Sequence, residues 1–148
     1  MKEDKAVELF LEGYNCAQSI VANYGFELGL KEKDALKLAT GLGAGINYHG
    51  QTCGAVLGSY IVLGLRYGID QARDQEGKAR LRMILDAFSE KFIKEYKSLN
   101  CKDILGMDVS REDELEELRR KNVFRELYPQ VVRTAASILE KLLKEPEV

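Results

Sequence analysis

The chain has few cysteines, and none has a close partner in the sequence. There are three, Cys16, Cys53 and Cys101, widely separated along 148 residues. An odd number at such spacing does not describe the disulfide framework of a small secreted domain. The lack of a Cys-x-x-Cys pair excludes a thioredoxin-type site and gives no zinc-ribbon or ferredoxin-like spacing. Any pairing among the thiols must therefore come from the fold.

The chain also lacks an excess of charge of one sign and a long apolar run. Its 22 basic and 24 acidic residues are interspersed and leave a formal net charge of -2, which offers no basic surface to nucleic acid or anionic membranes. The most apolar stretch, residues 55–65, is about half a bilayer span. Residues 1–5 carry both charge signs and no signal-peptide stretch. We expect a cytoplasmic protein that binds neither nucleic acid nor membrane.

Apolar residues recur at helical spacing along most of the chain. The pattern predicts helices on both sides of Gly13, a third that ends near residues 41–45, a fourth from Thr52 to about Tyr67, and a long one through residues 81–96. The glycine-rich segment before the fourth helix, GLGAGINYHGQT, is predicted to be a loop. In the fourth helix, Gly54 and Gly58 lie one turn apart and would let another backbone approach closely.

The C-terminal third continues this helical pattern. Asn100 can cap a short turn from Cys101 to Leu105, and a further helix is predicted after Ser110. The last helix is predicted to start close to Pro129. No segment has the pattern of a strand. We therefore predict an all-α fold, a single-domain bundle of about six to seven helices over residues 1–148.

Each cysteine directly follows a residue that can cap a helix and directly precedes a predicted helix. The three pairs are Asn15-Cys16, Thr52-Cys53 and Asn100-Cys101. A thiol in the first turn of a helix faces unpaired backbone N–H groups and the positive end of the helix dipole, which favour thiolate. The pattern predicts lowered thiol pKa values and thiols that attack disulfides or bind a metal. The alternative is that these small side chains only fill the core.

The glycine-rich loop suggests which thiol is reactive. Cys53 follows this loop and precedes a glycine, so we expect it to be the most open to attack. His49, the only histidine, lies four residues before it and is a candidate base or metal ligand. Thr52 and Gly54 are candidates for holding an anion at the helix start.

The cysteine pattern resembles that of the C_GCAxxG_C_C family, small helical proteins described as redox-active. Residues 53–58, C-G-A-V-L-G, match the most specific element of the family, C-G-A-x-x-G. Cys16 looks like the first family cysteine, and Cys101, three residues before Ile104, looks like the third. The family expects a fourth cysteine near the start of the last helix, where this chain reads Leu-Tyr-Pro-Gln at 127–130. The resemblance spans nearly the whole chain and implies a redox role.

The missing fourth cysteine limits what the site can be. A four-cysteine metal site cannot form within one chain, whereas a three-thiolate site completed by His49 or another ligand can, and two-cysteine redox chemistry survives.

Three functions follow from these observations. The leading one is a cytoplasmic thiol redox protein in which Cys53 attacks and Cys16 or Cys101 resolves, with an oxidoreductase or other redox protein as partner. The second is a metal-binding module that uses Cys16, Cys53, Cys101 and His49 for Zn(II), Cu(I) or an iron–sulfur cluster. The third is a helical interaction protein with structural cysteines. The sequence leaves open whether the protein is an enzyme, which cofactor it takes and its oligomeric state.

Overall fold

The structure is a computed structural model that describes residues 2–146. Over this range the protein is all-helical, which confirms the predicted fold class, although with eight α-helices rather than six to seven. In chain order they are α1 (Lys2–Leu11), α2 (Cys16–Gly25), α3 (Glu32–Ala39), α4 (Gly54–Tyr67), α5 (Gln75–Tyr96), α6 (Cys101–Leu105), α7 (Glu112–Arg120) and α8 (Val123–Lys144). Met1, Glu147 and Val148, the ends of the predicted 1–148 domain, lie outside the described residues.

Short 3-10 turns follow two of the helices, Phe26–Leu28 after α2 and Thr40–Leu42 after α3. Helix α2 packs on α4, and α8 packs on both α1 and α4. Large side chains fully buried in the main core come from α2, α4, α5 and α8: Ile20, Val56, Leu63, Phe88, Val132 and Leu139. None of the helices within residues 2–146 has the length and apolarity that crossing a bilayer requires.

Helix α8 starts earlier than the sequence predicted. It begins at Val123, and Pro129 lies inside it rather than in its first turn. A proline inside a helix costs about 3 kcal/mol because one backbone hydrogen bond is lost. The two turns before it carry Phe124 and the buried Tyr128, whose rings lie 5.9 Å apart at their centroids. Burying aromatic side chains stabilises by an amount comparable to that cost, so the helix continues through the proline.

Close packing of α2 on α4 depends on Gly58, as the sequence predicted. A Cβ atom added there would lie 3.0 Å from the carbonyl oxygen of Ala17 and 3.1 Å from the Cβ of Ile20. Gly54, one turn earlier, is similarly tight, because its Cβ would lie 3.1 Å from the backbone nitrogen of Ala17. These two glycines therefore set the distance between the helices that carry Cys16 and Cys53.

We expect Gly58→Ala to lower the free energy of unfolding by about 1 kcal/mol, measured by urea denaturation. The steric clash with α2 must overcome the gain of about 1 kcal/mol in helix propensity that alanine brings. Gly64→Ala is the matched control in the same helix, because a Cβ there meets nothing within 4 Å. That variant should gain about 0.5–1 kcal/mol. Equal effects of the two substitutions would show that the α2–α4 contact does not need glycine.

The glycine-rich segment is a loop, as predicted, but it folds into an ordered left-handed turn. Residues 44–48 all have φ between 50° and 74°. Hydrogen bonds across the turn join Gly50 N to Ala44 O at 3.2 Å and Gln51 N to Gly45 O at 2.9 Å. A left-handed conformation costs a non-glycine residue roughly 1–2 kcal/mol, so contacts with the rest of the fold must hold this turn in place.

Candidate functional site

Cys16 occupies the first position of α2, where the sequence predicted it. The Asn15 side chain accepts a hydrogen bond from Gln18 N at 2.8 Å, and the Gln18 side chain accepts one from Asn15 N at 2.9 Å. This reciprocal pair satisfies backbone donors at the helix start. The Asn15 amide also donates to the carbonyl oxygens of Ala39 and Thr40, at 3.3 and 3.0 Å. The segment carrying Cys16 is thereby fixed to the end of α3.

Cys53 and Cys101 are held together by an isolated antiparallel bridge between Thr52 and Asn100. Cys53 N donates to Leu99 O at 2.7 Å, and Cys101 N donates to Gln51 O at 2.6 Å. Each cysteine directly follows one residue of the bridge, so the two are diagonal neighbours across it, and the alternation of side chains along extended backbone is expected to direct both thiols to one side. Such neighbours have Cα atoms about 7–8 Å apart. Two distant parts of the chain thus bring their thiols to one place.

The bridge also corrects one capping prediction. Thr52 was expected to cap α4, but it pairs with Asn100, and Cys53 itself is the cap residue of that helix. Asn100 does stand before α6, yet its side chain makes no capping hydrogen bond. Backbone hydrogen bonds instead join residues 50–53 to the segment 99–102, and they hold the two cysteine-bearing segments next to each other.

A tyrosine completes the cluster. The Tyr128 hydroxyl lies 3.1 Å from the Cys101 sulfur and is almost completely buried. A weaker interaction with the same hydroxyl lowers the pKa of Cys53. Tyr128 occupies the stretch 127–130 where the fourth family cysteine was expected, so a phenol replaces the missing thiol at the cluster. The sequence pattern predicted no role for this residue, although its position at the missing cysteine was an available signal.

Burial raises the pKa of all three thiols. It raises the pKa of Cys53 to about 12, even though backbone N–H groups of Ala55 and Val56 at the start of α4 act to lower it. Burial also raises the pKa of Cys16, as do the nearby thiolates of Cys53 and Cys101. For Cys101 the Tyr128 hydroxyl partly offsets the effect of burial on the pKa.

The prediction of lowered thiol pKa values is therefore wrong for this reduced structure. A helix dipole is worth about 0.3–1 kcal/mol, less than one pKa unit. Removing the Cys53 sulfur from water has a larger effect, because that side chain is fully buried. The charges of Cys53 and Cys101 add to the effect of burial on the pKa of Cys16, and the charge of Cys101 adds to it for Cys53.

A cavity of about 300 Å³ opens beside the cluster. Cys16, Cys101 and Tyr128 line it, and Arg119 and Arg125 stand among its exposed residues. Cys53 was expected to have the most open approach, but its side chain is fully buried and is not part of the cavity wall. A molecule in the cavity would meet Cys16 and Cys101 first.

The other predicted site residues lie at different distances from this cavity. Gly54 lines it, whereas Thr52 is half-buried in the bridge, and His49 is exposed in the loop and is not part of the cavity wall. Among residues 2–146, no group of three or more histidine, cysteine, aspartate or glutamate side chains has an arrangement that could hold a metal ion. The structure therefore brings the thiols together with Tyr128 rather than with His49.

One comparison with known proteins gives a match. The family model described as "Putative redox-active protein (C_GCAxxG_C_C)" matches residues 14–142. This range includes all three cysteines and Tyr128. No curated protein and no solved structure matches the chain. Because the match covers most of its length, the chain belongs to the C_GCAxxG_C_C family, which confirms the resemblance in its cysteine pattern.

Proposed function

We propose that this member of the C_GCAxxG_C_C family is a thiol–disulfide redox protein whose working couple is Cys101 and Cys53. The observation that carries the proposal is that Cys53 and Cys101 directly follow the two residues of one backbone bridge and that both thiols interact with one tyrosine hydroxyl. A disulfide needs Cα atoms within about 7 Å. Diagonal neighbours at such a bridge are close to that limit, so a small movement of the bridge suffices.

The structure supports Cys101, rather than Cys53, as the attacking thiol. Cys101 lines the cavity, and its sulfur lies 3.1 Å from the Tyr128 hydroxyl, whereas Cys53 is fully buried and does not line the cavity. The Cys101 thiolate attacks one sulfur of a substrate disulfide, a mixed disulfide forms, and the first substrate thiolate leaves. Cys53 then attacks the Cys101 sulfur, and the second substrate thiolate leaves. The protein loses two electrons and two protons, and the substrate gains both as two thiols.

Tyr128 stabilises the charge that develops on Cys101 during the attack. Burial and the nearby thiols raise the pKa of the phenol itself, so it remains a hydrogen-bond donor throughout the physiological range. A hydrogen bond to a charged group contributes about 1.5–3 kcal/mol. In a site where burial disfavours thiolate, this hydroxyl is the main neighbouring group that favours it at Cys101.

Cys16 is the third thiol in this proposal and is not required for the couple. It also lines the cavity, and burial together with the charges of the other two thiols raises its pKa. The redox partner of the protein is proposed to be another thiol protein or an oxidoreductase in the cytoplasm, where three free cysteines are maintained.

Disulfide mapping under defined redox conditions tests this function. The protein is equilibrated anaerobically with mixtures of reduced and oxidised dithiothreitol, alkylated and digested for mass spectrometry. We expect a Cys53–Cys101 disulfide and the same disulfide in Cys16→Ser. In Cys53→Ser we expect a mixed disulfide on Cys101 when the oxidant is hydroxyethyl disulfide, whose mixed disulfide, unlike that of dithiothreitol, cannot cyclise and leave. Three thiols that stay alkylatable at every potential would contradict the proposal. Stoichiometric metal in the anaerobically purified protein would favour the metal-binding module instead.

Tyr128→Phe tests the role of the hydroxyl without removing the ring. We expect the rate of mixed-disulfide formation on Cys101 at pH 7 to fall about 10- to 100-fold, which corresponds to the loss of about 1.5–3 kcal/mol of stabilisation of a charged sulfur. Stopped-flow mixing with an uncharged disulfide, followed by mass spectrometry, measures this rate. Tyr60→Phe is a matched control, because its hydroxyl contacts Ser89 and not the thiols. An unchanged rate in Tyr128→Phe would exclude the hydroxyl from the chemistry.

A further inference from the structure

The cavity beside the thiols has cationic side chains without matching carboxylates. Arg119 and Arg125 line it, and no aspartate or glutamate does. Within residues 2–146, neither guanidinium is part of an ion pair with a carboxylate. The whole chain is slightly acidic, with a net charge of -2. Two unpaired guanidinium groups at one cavity are therefore a local reversal of the overall charge.

Three acidic residues on α7, Asp113, Glu114 and Glu117, form ion pairs with cations other than these two arginines. The Glu117 carboxylate lies 2.9 Å from the Lys121 ammonium group and 3.7 Å from the Arg120 guanidinium group. Arg119, the direct neighbour of Arg120, turns away from this pair and lies over the ring of Tyr48, 5.8 Å from its centroid. Stacking on an aromatic face holds the guanidinium in position while leaving its N–H donors free for a ligand.

The remaining wall of the cavity suits a small, partly apolar molecule. Phe10, Tyr14 and Phe124 contribute aromatic surface, and the thiols of Cys16 and Cys101 lie in the same wall. A volume of about 300 Å³ is at the lower end for small-molecule sites. A protein partner could insert only a short segment there.

We infer that the substrate is a small disulfide that carries carboxylate groups, bound by Arg119 and Arg125 with its sulfur–sulfur bond facing Cys101. This inference rests on the proposed function and adds the class of molecule that enters the site. Guanidinium groups bind carboxylates with two parallel hydrogen bonds. They also offset the repulsion between an anionic disulfide and the attacking thiolate. The electron balance is that of the dithiol–disulfide exchange already described.

Three disulfides of similar length and different charge test this inference. The reduced protein is mixed with dithiodipropionate, hydroxyethyl disulfide or cystamine, which are anionic, neutral and cationic, and the rate of oxidation is measured. Each rate is divided by the rate of the same disulfide with mercaptoethanol to remove intrinsic reactivity. We expect dithiodipropionate to be favoured at least tenfold over cystamine, with a preference that weakens as salt is added. Equal normalised rates would overturn the inference while leaving the proposed function intact.

Substitutions of Arg119 and Arg125 test whether the preference for an anionic disulfide arises at this cavity. In Arg119→Gln/Arg125→Gln, the rate with dithiodipropionate should fall at least tenfold, and the rate with hydroxyethyl disulfide should change less than twofold. Arg120→Gln is the matched control, since it removes a neighbouring charge that is paired with Glu117 and lies outside the cavity wall. A loss of preference in the control as large as in the double variant would mean that general surface charge attracts the anion, which contradicts the inference.

A non-reactive analogue separates binding from redox chemistry. Suberate has the same length and charges as dithiodipropionate but two methylene groups in place of the sulfurs. Calorimetry should show that suberate binds the parent protein and Arg120→Gln, and that the double variant binds it at least tenfold more weakly. Suberate binding without oxidation by any disulfide would refute the proposed function and keep the anion site. Absence of suberate binding together with oxidation by hydroxyethyl disulfide would refute only the anion site.

Discussion

The reduced protein should lose stability steeply as the pH rises above 9. In the unfolded chain a thiol has a pKa of about 8.5 and ionises over this range. In the folded protein burial raises the pKa of Cys53 to about 12, so its proton is retained. The unfolded state is then favoured by about 1.4 kcal/mol for each pH unit between the two pKa values. The stability contributed by the protonated thiol is complete below about pH 8 and is lost towards pH 12.

The other two thiols increase this effect. Burial raises the pKa of both Cys16 and Cys101 above its ordinary value. The free energy of unfolding should therefore fall between pH 9 and 10 by more than the roughly 1.4 kcal/mol that Cys53 alone contributes. Anaerobic urea denaturation at closely spaced pH values measures this fall. Domains of this size have a total stability of about 5–15 kcal/mol, so the reduced protein is expected to have lost a large part of its stability at pH 11.

Serine variants test whether the thiols cause the fall in the free energy of unfolding with rising pH. Serine does not ionise in this range, so Cys53→Ser should remove about 1.4 kcal/mol per pH unit from the pH dependence, whatever its effect on stability at pH 7. Cys16→Ser and Cys101→Ser should each reduce the pH dependence as well, because burial raises the pKa of both thiols. Oxidation of Cys53 and Cys101 to a disulfide should remove the contribution of both. A triple serine variant with the slope of the parent would show that lysine and tyrosine side chains cause the alkaline loss, and would contradict the raised thiol pKa values.

The sequence pattern predicted lowered thiol pKa values, whereas burial in the fold raises them, and this difference shows where sequence reasoning stops. The start of α2 could be predicted because its signals are local: Asn15 caps the helix, and the Gln18 side chain accepts a hydrogen bond in return. The dipole at a helix start is equally local. The burial of Cys53 is not, because it depends on the main core in which the residue lies, and that core is built from helices far apart in sequence. A local pattern therefore located the thiols correctly but gave their ionisation the wrong sign.

Two further differences have the same origin. Thr52 is of a residue type that often caps helices, yet the residues on either side of it form hydrogen bonds with the segment at 99–101, and Thr52 lies in a bridge instead. Pro129 has the residue type of a helix start, yet aromatic burial extends the helix before it. Sequence patterns did not predict Tyr128 as a site residue for a related reason, since only the packing of α8 places its hydroxyl against Cys101. In each case a contact between residues far apart in sequence outweighs a residue preference.

The left-handed turn of the glycine-rich loop is a second feature on which the site depends. Gly45 has φ of +74°, and a Cβ atom there would lie 2.5 Å from Gln51 N and 2.7 Å from the Cα of Gly50. Both are backbone atoms that cannot rotate away. The same segment supports the site, because Gln51 O accepts a hydrogen bond from Cys101 N and Gly50 O accepts one from Lys102 N. Displacing residues 50–51 therefore displaces Cys101.

Gly45→Ala is accordingly expected to lower the free energy of unfolding by about 3 kcal/mol, the sum of a left-handed alanine and a backbone clash. It should also reduce the yield of the Cys53–Cys101 disulfide at a fixed dithiothreitol potential, because the bridge that aligns the two thiols is no longer held. Urea denaturation and disulfide mapping measure the two effects. Gly41→Ala is the control in the same glycine-rich segment, since a Cβ there meets nothing within 4 Å, and it should change stability by less than about 0.5 kcal/mol. A Gly45→Ala protein that keeps both its stability and its disulfide would show that the turn is free to rearrange, and that the thiols are aligned by α4 and α8 alone.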